Sequence, residues 1–225
     1  MAKRVTSSSR NRSKARSSPA ESMGHPAEEV KSLDEARSEA LECRACPLWR
    51  DTTQTVFGEG ARDAAIVFVG EQPGDSEDRT GRPFVGPAGH MLDRALHEAG
   101  IARDAVYVTN AVKHFKYVAR GKRRLHKKPA DAEIDACHDW LARELEFVAP
   151  RLVIALGATA ARSLLGRATP IEANRGRLLP FPGTTARLLI TVHPSALLRI
   201  PDEFKAEAYR RFVADLKIGA EFIHS

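Results

Sequence analysis

Four short runs, Ala65–Val69, Ala105–Thr109, Leu152–Leu156 and Arg187–Val192, are almost continuous in apolar and β-favouring residues, and each gives way to a helical pattern. Strands apolar on both faces need cover on both faces, the condition of a parallel sheet held between helices. The intervening segments supply that cover. Pro87 suits the first position of a helix whose stripe is Met91, Leu92, Ala95, Leu96 and Ala99, with Gly100 ending it. A second helix spans about Ala130–Val148 with Ile134, Cys137, Leu141 and Leu145 on one face, and a third spans Ala158–Leu165. A last helix places Phe204, Ala208, Phe212 and Leu216 at four-residue spacing. Strand–helix alternation with right-handed crossovers predicts an α/β fold: a three-layer α/β/α domain around a central parallel four-stranded sheet.

The 225-residue length allows one such domain and a tail. Residues 1–20 hold six Lys or Arg and no acid, which equals the whole net charge of +6, so the remainder is balanced. Residues 1–32 carry too few apolar groups to offset ordering entropy and read as a disordered basic tail, with residues 33–225 as the folded domain. No apolar run is long enough to cross a bilayer, so the chain reads as a soluble, cytoplasmic monomer with no membrane partner, nucleoid-associated if its source is bacterial. Three cysteines are an odd number in a chain too large to need staples, which argues against a disulfide framework. Two of them form Cys43-Arg44-Ala45-Cys46, a spacing that in a reducing compartment suggests a metal or redox site.

In a sheet of this kind ligands bind beyond the carboxyl ends of the strands. The four strand ends lead into Gly70-Glu71-Gln72-Pro73-Gly74, Thr109-Asn110, Leu156-Gly157 and His193-Pro194-Ser195. Neither a dinucleotide fingerprint nor a phosphate-loop G-K-[ST] is present. Phe84, between the turns of Gly81–Gly89, is a core plug or a stacking platform, and the residues alone leave both open. The loop His193–Arg199 combines small polar groups for phosphate with Leu197 and Leu198, which serve either as a duplex wedge or as core. Between Lys113 and Lys128 lie eight Lys or Arg and no acid, broken by Gly121 and ended by Pro129. That stretch reads as a loop and as a phosphate-binding strip, with His126 inside it.

Taken together, Gly-Glu-Gln-Pro-Gly at 70–74, Gly-Arg-Pro-Phe-Val-Gly-Pro-Ala-Gly at 81–89, Tyr-Val-Thr-Asn at 107–110 and His-Pro-Ser at 193–195 resemble the iron–sulfur uracil-DNA glycosylases. Lys122-Arg123-Arg124-Leu125-His126 is similar to the loop of the UdgX-type branch, whose histidine becomes linked to the deoxyribose after uracil is released; that loop usually has Ile where this chain has Leu125. The resemblance covers about residues 40–218. It implies uracil-containing DNA, single- or double-stranded, as the partner and substrate. It implies catalytic roles for Glu71, His193 and His126, and a uracil pocket built from Gly70, Gln72, Asp75, Phe84 and Asn110. It implies DNA contacts from Lys122, Arg123, Arg124, Ser195 and Arg199. It also implies a [4Fe–4S] cluster on Cys43, Cys46, His114 and Cys137, with His114 where the family usually has a third cysteine. By ligand identity alone a zinc site of three Cys and one His is equally served by that set.

Overall fold

The computed structural model describes Met1 and residues 31–225, so residues 2–30 of the expected basic tail lie outside the described residues. Among the described residues eight α-helices and eight strands follow in order: α1 (Leu33–Ala40), β1 (Glu59–Gly60), β2 (Ile66–Gly70), α2 (Asp75–Thr80), α3 (Pro87–Glu98), β3 (Tyr107–Asn110), β4 (Tyr117–Arg120), β5 (Arg123–His126), α4 (Asp131–Val148), β6 (Leu152–Leu156), α5 (Ala158–Leu165), α6 (Ile171–Asn174), β7 (Leu178–Pro180), β8 (Arg187–Thr191), α7 (Pro194–Leu197) and α8 (Asp202–His224).

The four predicted strands are the four parallel ones, adjacent in the order β3-β2-β6-β8. The sheet nevertheless has six strands, not four. β1 pairs antiparallel with β3 at one edge, and β7 pairs antiparallel with β8 at the other. Both additions are only two or three residues long, too short to show a period of two.

Alternation along the central strands sends Val67, Val69, Val153, Ala155, Leu188 and Ile190 to one face, where they pack with α1, α4 and α5. Ile66, Phe68, Ile154, Leu156 and Leu189 go to the other face, against α3 and α8. Both faces are covered, so every residue of β2 and β6 is buried. The predicted stripe of α8 is corrected at its start: Phe212 and Leu216 are fully buried, but Phe204 is 60% exposed. The first helix, α1, carries its own start signal in Ser32-Leu33-Asp34-Glu35, and the Ser32 hydroxyl accepts a hydrogen bond from the Glu35 amide at 3.2 Å.

The cation-rich stretch is not a loop. β4 and β5 form a two-stranded hairpin with Tyr117 opposite His126 and Ala119 opposite Arg124, turning at Gly121, whose φ of 59° suits glycine. Gln72 fixes its base. The Gln72 amide donates to the carbonyls of Lys116 and Lys127 at 3.1 Å each and accepts from the Lys116 amide at 3.0 Å.

Candidate active site

A cavity of about 570 Å³ opens at the carboxyl ends of the parallel strands, lined among others by Glu71, Phe84, Asn110, His126, Thr159 and His193. These side chains come from widely separated elements, and the sheet register sets their starting points. Gly70, the last residue of β2, is level with Asn110, the last of β3. A Cβ at Gly70 would lie 2.4 Å from Asn110 Oδ1 and 2.7 Å from Phe84 Cζ, so only glycine lets these two side chains close on the strand end. Phe84 holds a φ of 57°, rare for a bulky residue. Its carbonyl would sit 1.8 Å from a Cβ on Gly89, so the close approach between this turn and α3 also requires glycine.

Glu77, which the sequence did not single out, ties the two halves of this wall together. Its carboxylate accepts the Gly86 amide at 2.8 Å and the Gly74 amide at 3.1 Å. The motif segments 70–74 and 81–89 are thereby cross-linked through one buried side chain.

Glu71 stands at the cavity with both oxygens engaged. Oε1 lies 3.2 Å from His126 Nε2, and Oε2 accepts a hydrogen bond from the Thr159 hydroxyl. Burial works against its charge, but the hydrogen bonds from His126 and Thr159 prevail and hold the carboxyl below the usual carboxylate range. His193 has its Nδ1 beside the Ser195 hydroxyl at 2.8 Å and accepting the Ser195 amide at 3.1 Å. A backbone N–H aimed at Nδ1 leaves the ring proton on Nε2. Burial pushes the His193 pKa down to about 4, so the ring is neutral at physiological pH. The ring lies 6.2 Å from that of Phe84 in a stacked arrangement.

His126 is half exposed at the end of β5, delivered to Glu71 by the hairpin. The hairpin is latched by Arg124, whose Nε lies 2.5 Å from Asp75 Oδ1 and whose Nη1 lies 2.5 Å from Asp78 Oδ2. Its guanidinium also covers the rings of Phe115 and Tyr117. The structure departs from the sequence expectation at Lys113, which is fully buried rather than part of a phosphate strip. Gln72 and Asp75 line the cavity, Gln72 with its side-chain amide on the hairpin and Asp75 paired with Arg124. Leu197 is core, while Leu198 is 42% exposed at the cavity rim with Ser195 and Arg199. Lys122 and Arg123 are exposed at the hairpin tip and make no ion pair among the described residues.

Cys43, Cys46 and Cys137 are all buried and free. Among the described residues no group of three or more His, Cys, Asp or Glu side chains is closed to metal-ligand geometry. The donors nevertheless suit one. Cys43 Sγ accepts the Trp140 indole N–H at 3.1 Å, and Cys137 Sγ accepts the Lys113 amide at 3.2 Å. Burial pushes the Cys137 thiol up to about 12, with Cys43 and Cys46 adding to the effect, so the three sulfurs lie within one another's field. His114 is buried with Nε2 hydrogen-bonded to the Thr55 hydroxyl at 3.0 Å, and its Nδ1 has no partner. A ring nitrogen free for a metal while the other is held by an oxygen is the usual arrangement of a ligating histidine.

Residues 57–217 match the model of the uracil DNA glycosylase superfamily. A type-4 uracil-DNA glycosylase of Thermotoga maritima is 42% identical over 158 residues, 70% of this chain and 78% of that protein. A second type-4 enzyme, from Archaeoglobus fulgidus, is 34% identical over 178 residues, 76% of this chain and 86% of its own length. A type-5 uracil-DNA glycosylase of Pyrobaculum aerophilum is 34% identical over 200 residues, covering 80% and 84% of the two chains.

Proposed function

This chain belongs to the uracil-DNA glycosylase superfamily, and on that premise we propose that it removes uracil from DNA and then captures the abasic sugar covalently through His126. The observation that carries the capture step is the 3.2 Å approach of His126 Nε2 to Glu71 Oε1 at the cavity wall. It sets a nucleophile and a carboxylate at one point.

The target nucleotide is flipped out of the stack into the cavity. Asn110, whose side-chain amide makes no hydrogen bond among the described residues, pairs with the O4/N3 edge of uracil and rejects cytosine, where donor and acceptor are exchanged. Phe84 supplies the apolar wall. As the N1–C1′ bond breaks, the electron pair leaves with the base, and His193 Nε2–H donates to uracil O2 as charge builds there. Glu71, held as a carboxylate, stabilises the cationic sugar. His126 Nε2 passes its proton to Glu71 and bonds to C1′, leaving a neutral imidazole joined to the deoxyribose. Lys122 and Arg123 at the hairpin tip, with Ser195 and Arg199 at the rim, hold the flanking phosphates.

Cys43, Cys46, His114 and Cys137 would hold a [4Fe–4S] cluster, whose contribution would be structural, joining the segment before β1 to α4. The three described cysteines are free, and among the described residues no helix is long and apolar enough to cross a membrane.

The test is to mix the protein with a uracil-containing oligonucleotide, boil in detergent and run a denaturing gel. A stoichiometric shifted band lost in His126→Ala supports capture. Free uracil with multiple turnover and no band would make the protein a conventional glycosylase, and neither product would leave only a DNA-binding module.

A further inference from the structure

We infer that Lys113, locked in place by Glu144, is the positioning residue that sets Asn110 for reading uracil; the inference rests on the assignment of Asn110 to the base edge made above. Lys113 and Glu144 have no exposed side-chain surface, and Lys113 Nζ lies 2.5 Å from Glu144 Oε2. A charge pair so deep must be fully hydrogen-bonded to be tolerated. This one is. Glu144 Oε1 accepts the Gly58 amide at 2.7 Å and the Tyr107 hydroxyl at 3.2 Å, and Oε2 accepts the Thr109 hydroxyl at 2.8 Å.

The ammonium has two further acceptors, the Thr109 hydroxyl at 2.7 Å and the Asn110 carbonyl at 2.8 Å. Lys113 therefore grips the two residues that end β3, reaching back three positions to close the turn after the strand. Fixing the Asn110 carbonyl fixes the plane of the peptide that follows it, and with it the direction in which the Asn110 side chain leaves the backbone. Slack here is costly because Asn110 Oδ1 already sits where a Cβ on Gly70 would collide. The other end of Lys113 is equally constrained: its amide donates to Cys137 Sγ at 3.2 Å, and its carbonyl accepts the Val56 amide at 2.8 Å. The lysine thus spans from the thiol site, through its backbone, to the specificity residue, through its side chain.

None of these groups faces the cavity, and a merely structural network would also explain their burial. A double-mutant cycle separates the two. In the full chain, Thr109→Val removes the shared hydroxyl, and Lys113→Met with Glu144→Gln removes both charges together, so no lone buried charge threatens folding. Each should lower the rate constant of uracil release at subsaturating DNA roughly tenfold, a common size of coupling within one network. Visible absorbance of the cluster per chain should stay at the wild-type level, and Thr109→Ser should restore the rate. In an Asn110→Ala background the same changes should have almost no further effect. Equal losses with and without Asn110 would overturn the inference while leaving Asn110 as the reader of the base. A full rate and uracil selectivity in Asn110→Ala alone would overturn the underlying assignment and this inference with it.

Discussion

Arg124→Ala should separate uracil removal from capture. The guanidinium is 14% exposed and bridges the hairpin to α2 through Asp78, whose carboxylate is fully buried, and Asp75, which is 43% exposed. Breaking a buried pair by deleting one partner costs about 3–5 kcal/mol. The lower end applies, because Asp78 keeps the Thr53 amide at 3.0 Å and 3.1 Å from its two oxygens. The exposed contact with Asp75 adds less than about 1 kcal/mol. A loss of about 3 kcal/mol shifts the balance between latched and released hairpin roughly a hundredfold.

Gln72 and the Tyr117 hydroxyl, which donates to the Asp51 carbonyl at 2.8 Å, still hold the hairpin base, so its tip and His126 should swing away from Glu71 without wider unfolding. Glu71, Asn110, Phe84 and His193 lie on other elements and stay in place. A time course scoring boiled adduct and free uracil in the same tube should show the adduct rate falling by one to two orders of magnitude, with uracil release kept. Arg124→Lys, which keeps charge but loses the fork, should lie between. Adduct formation at the wild-type rate in Arg124→Ala would refute the latch as the device that delivers His126. Equal loss of both products would show that the hairpin also serves the glycosylase step.

Gly70→Ala should raise the DNA concentration needed for half-maximal uracil release, because the new methyl collides with Asn110 and Phe84; an unchanged value would mean these side chains do not form the base pocket. Lys122→Ala and Arg123→Ala should each reduce the slope of log affinity against log salt by up to about 0.9 on duplex DNA, read by titration across salt concentrations, with no change in uracil preference. Uracil release should persist into mild acid. The Glu71 carboxylate is held below the usual range and His193 stays neutral down to about pH 4, so both working forms lie on the alkaline side of their pKa values and are lost only as pH falls through them. Thr159→Val removes one of the bonds that hold Glu71 low and should move this acid limb upward in a rate–pH profile.

Most of the fold was legible because burial on both faces leaves an unbroken apolar run. Ile66–Gly70 and Leu152–Leu156 are buried at every position, and no loop would tolerate such a run. What escaped notice is what short or polar elements hide. β1 and β7 are held by backbone pairing to their neighbours, and three residues show no period. The hairpin escaped for another reason: it sits within a stretch dense in Lys and Arg, and its order comes from Gln72 and Arg124, whose partners lie far off in sequence. The Ser32–Glu35 capping signal for α1 was present as well but went unread, because Ser32 was placed at the end of the tail.

The site follows the same division. Strand ends placed Gly70, Glu71, Asn110 and His193 together by topology alone, since a parallel sheet must present its carboxyl ends on one side. Residue type could not tell a contacting cation from a fastening one. Lys113, Arg124 and Arg123 lie in a single basic stretch, yet the first is sealed under the sheet end, the second is clamped to two carboxylates, and the third is exposed at the hairpin tip. The carboxylates that decide this, Glu144 for Lys113 and Asp75 with Asp78 for Arg124, stand on α4 and α2, outside the basic stretch. Pairing inverts what a charge can do. A free arginine gains by meeting a phosphate, whereas Arg124 would have to abandon a buried aspartate first, at a cost an ordinary surface contact with DNA does not repay. On the proposed function, the basic stretch divides its labour by depth: the buried cations would build the pocket and aim His126, and the exposed ones would meet the DNA.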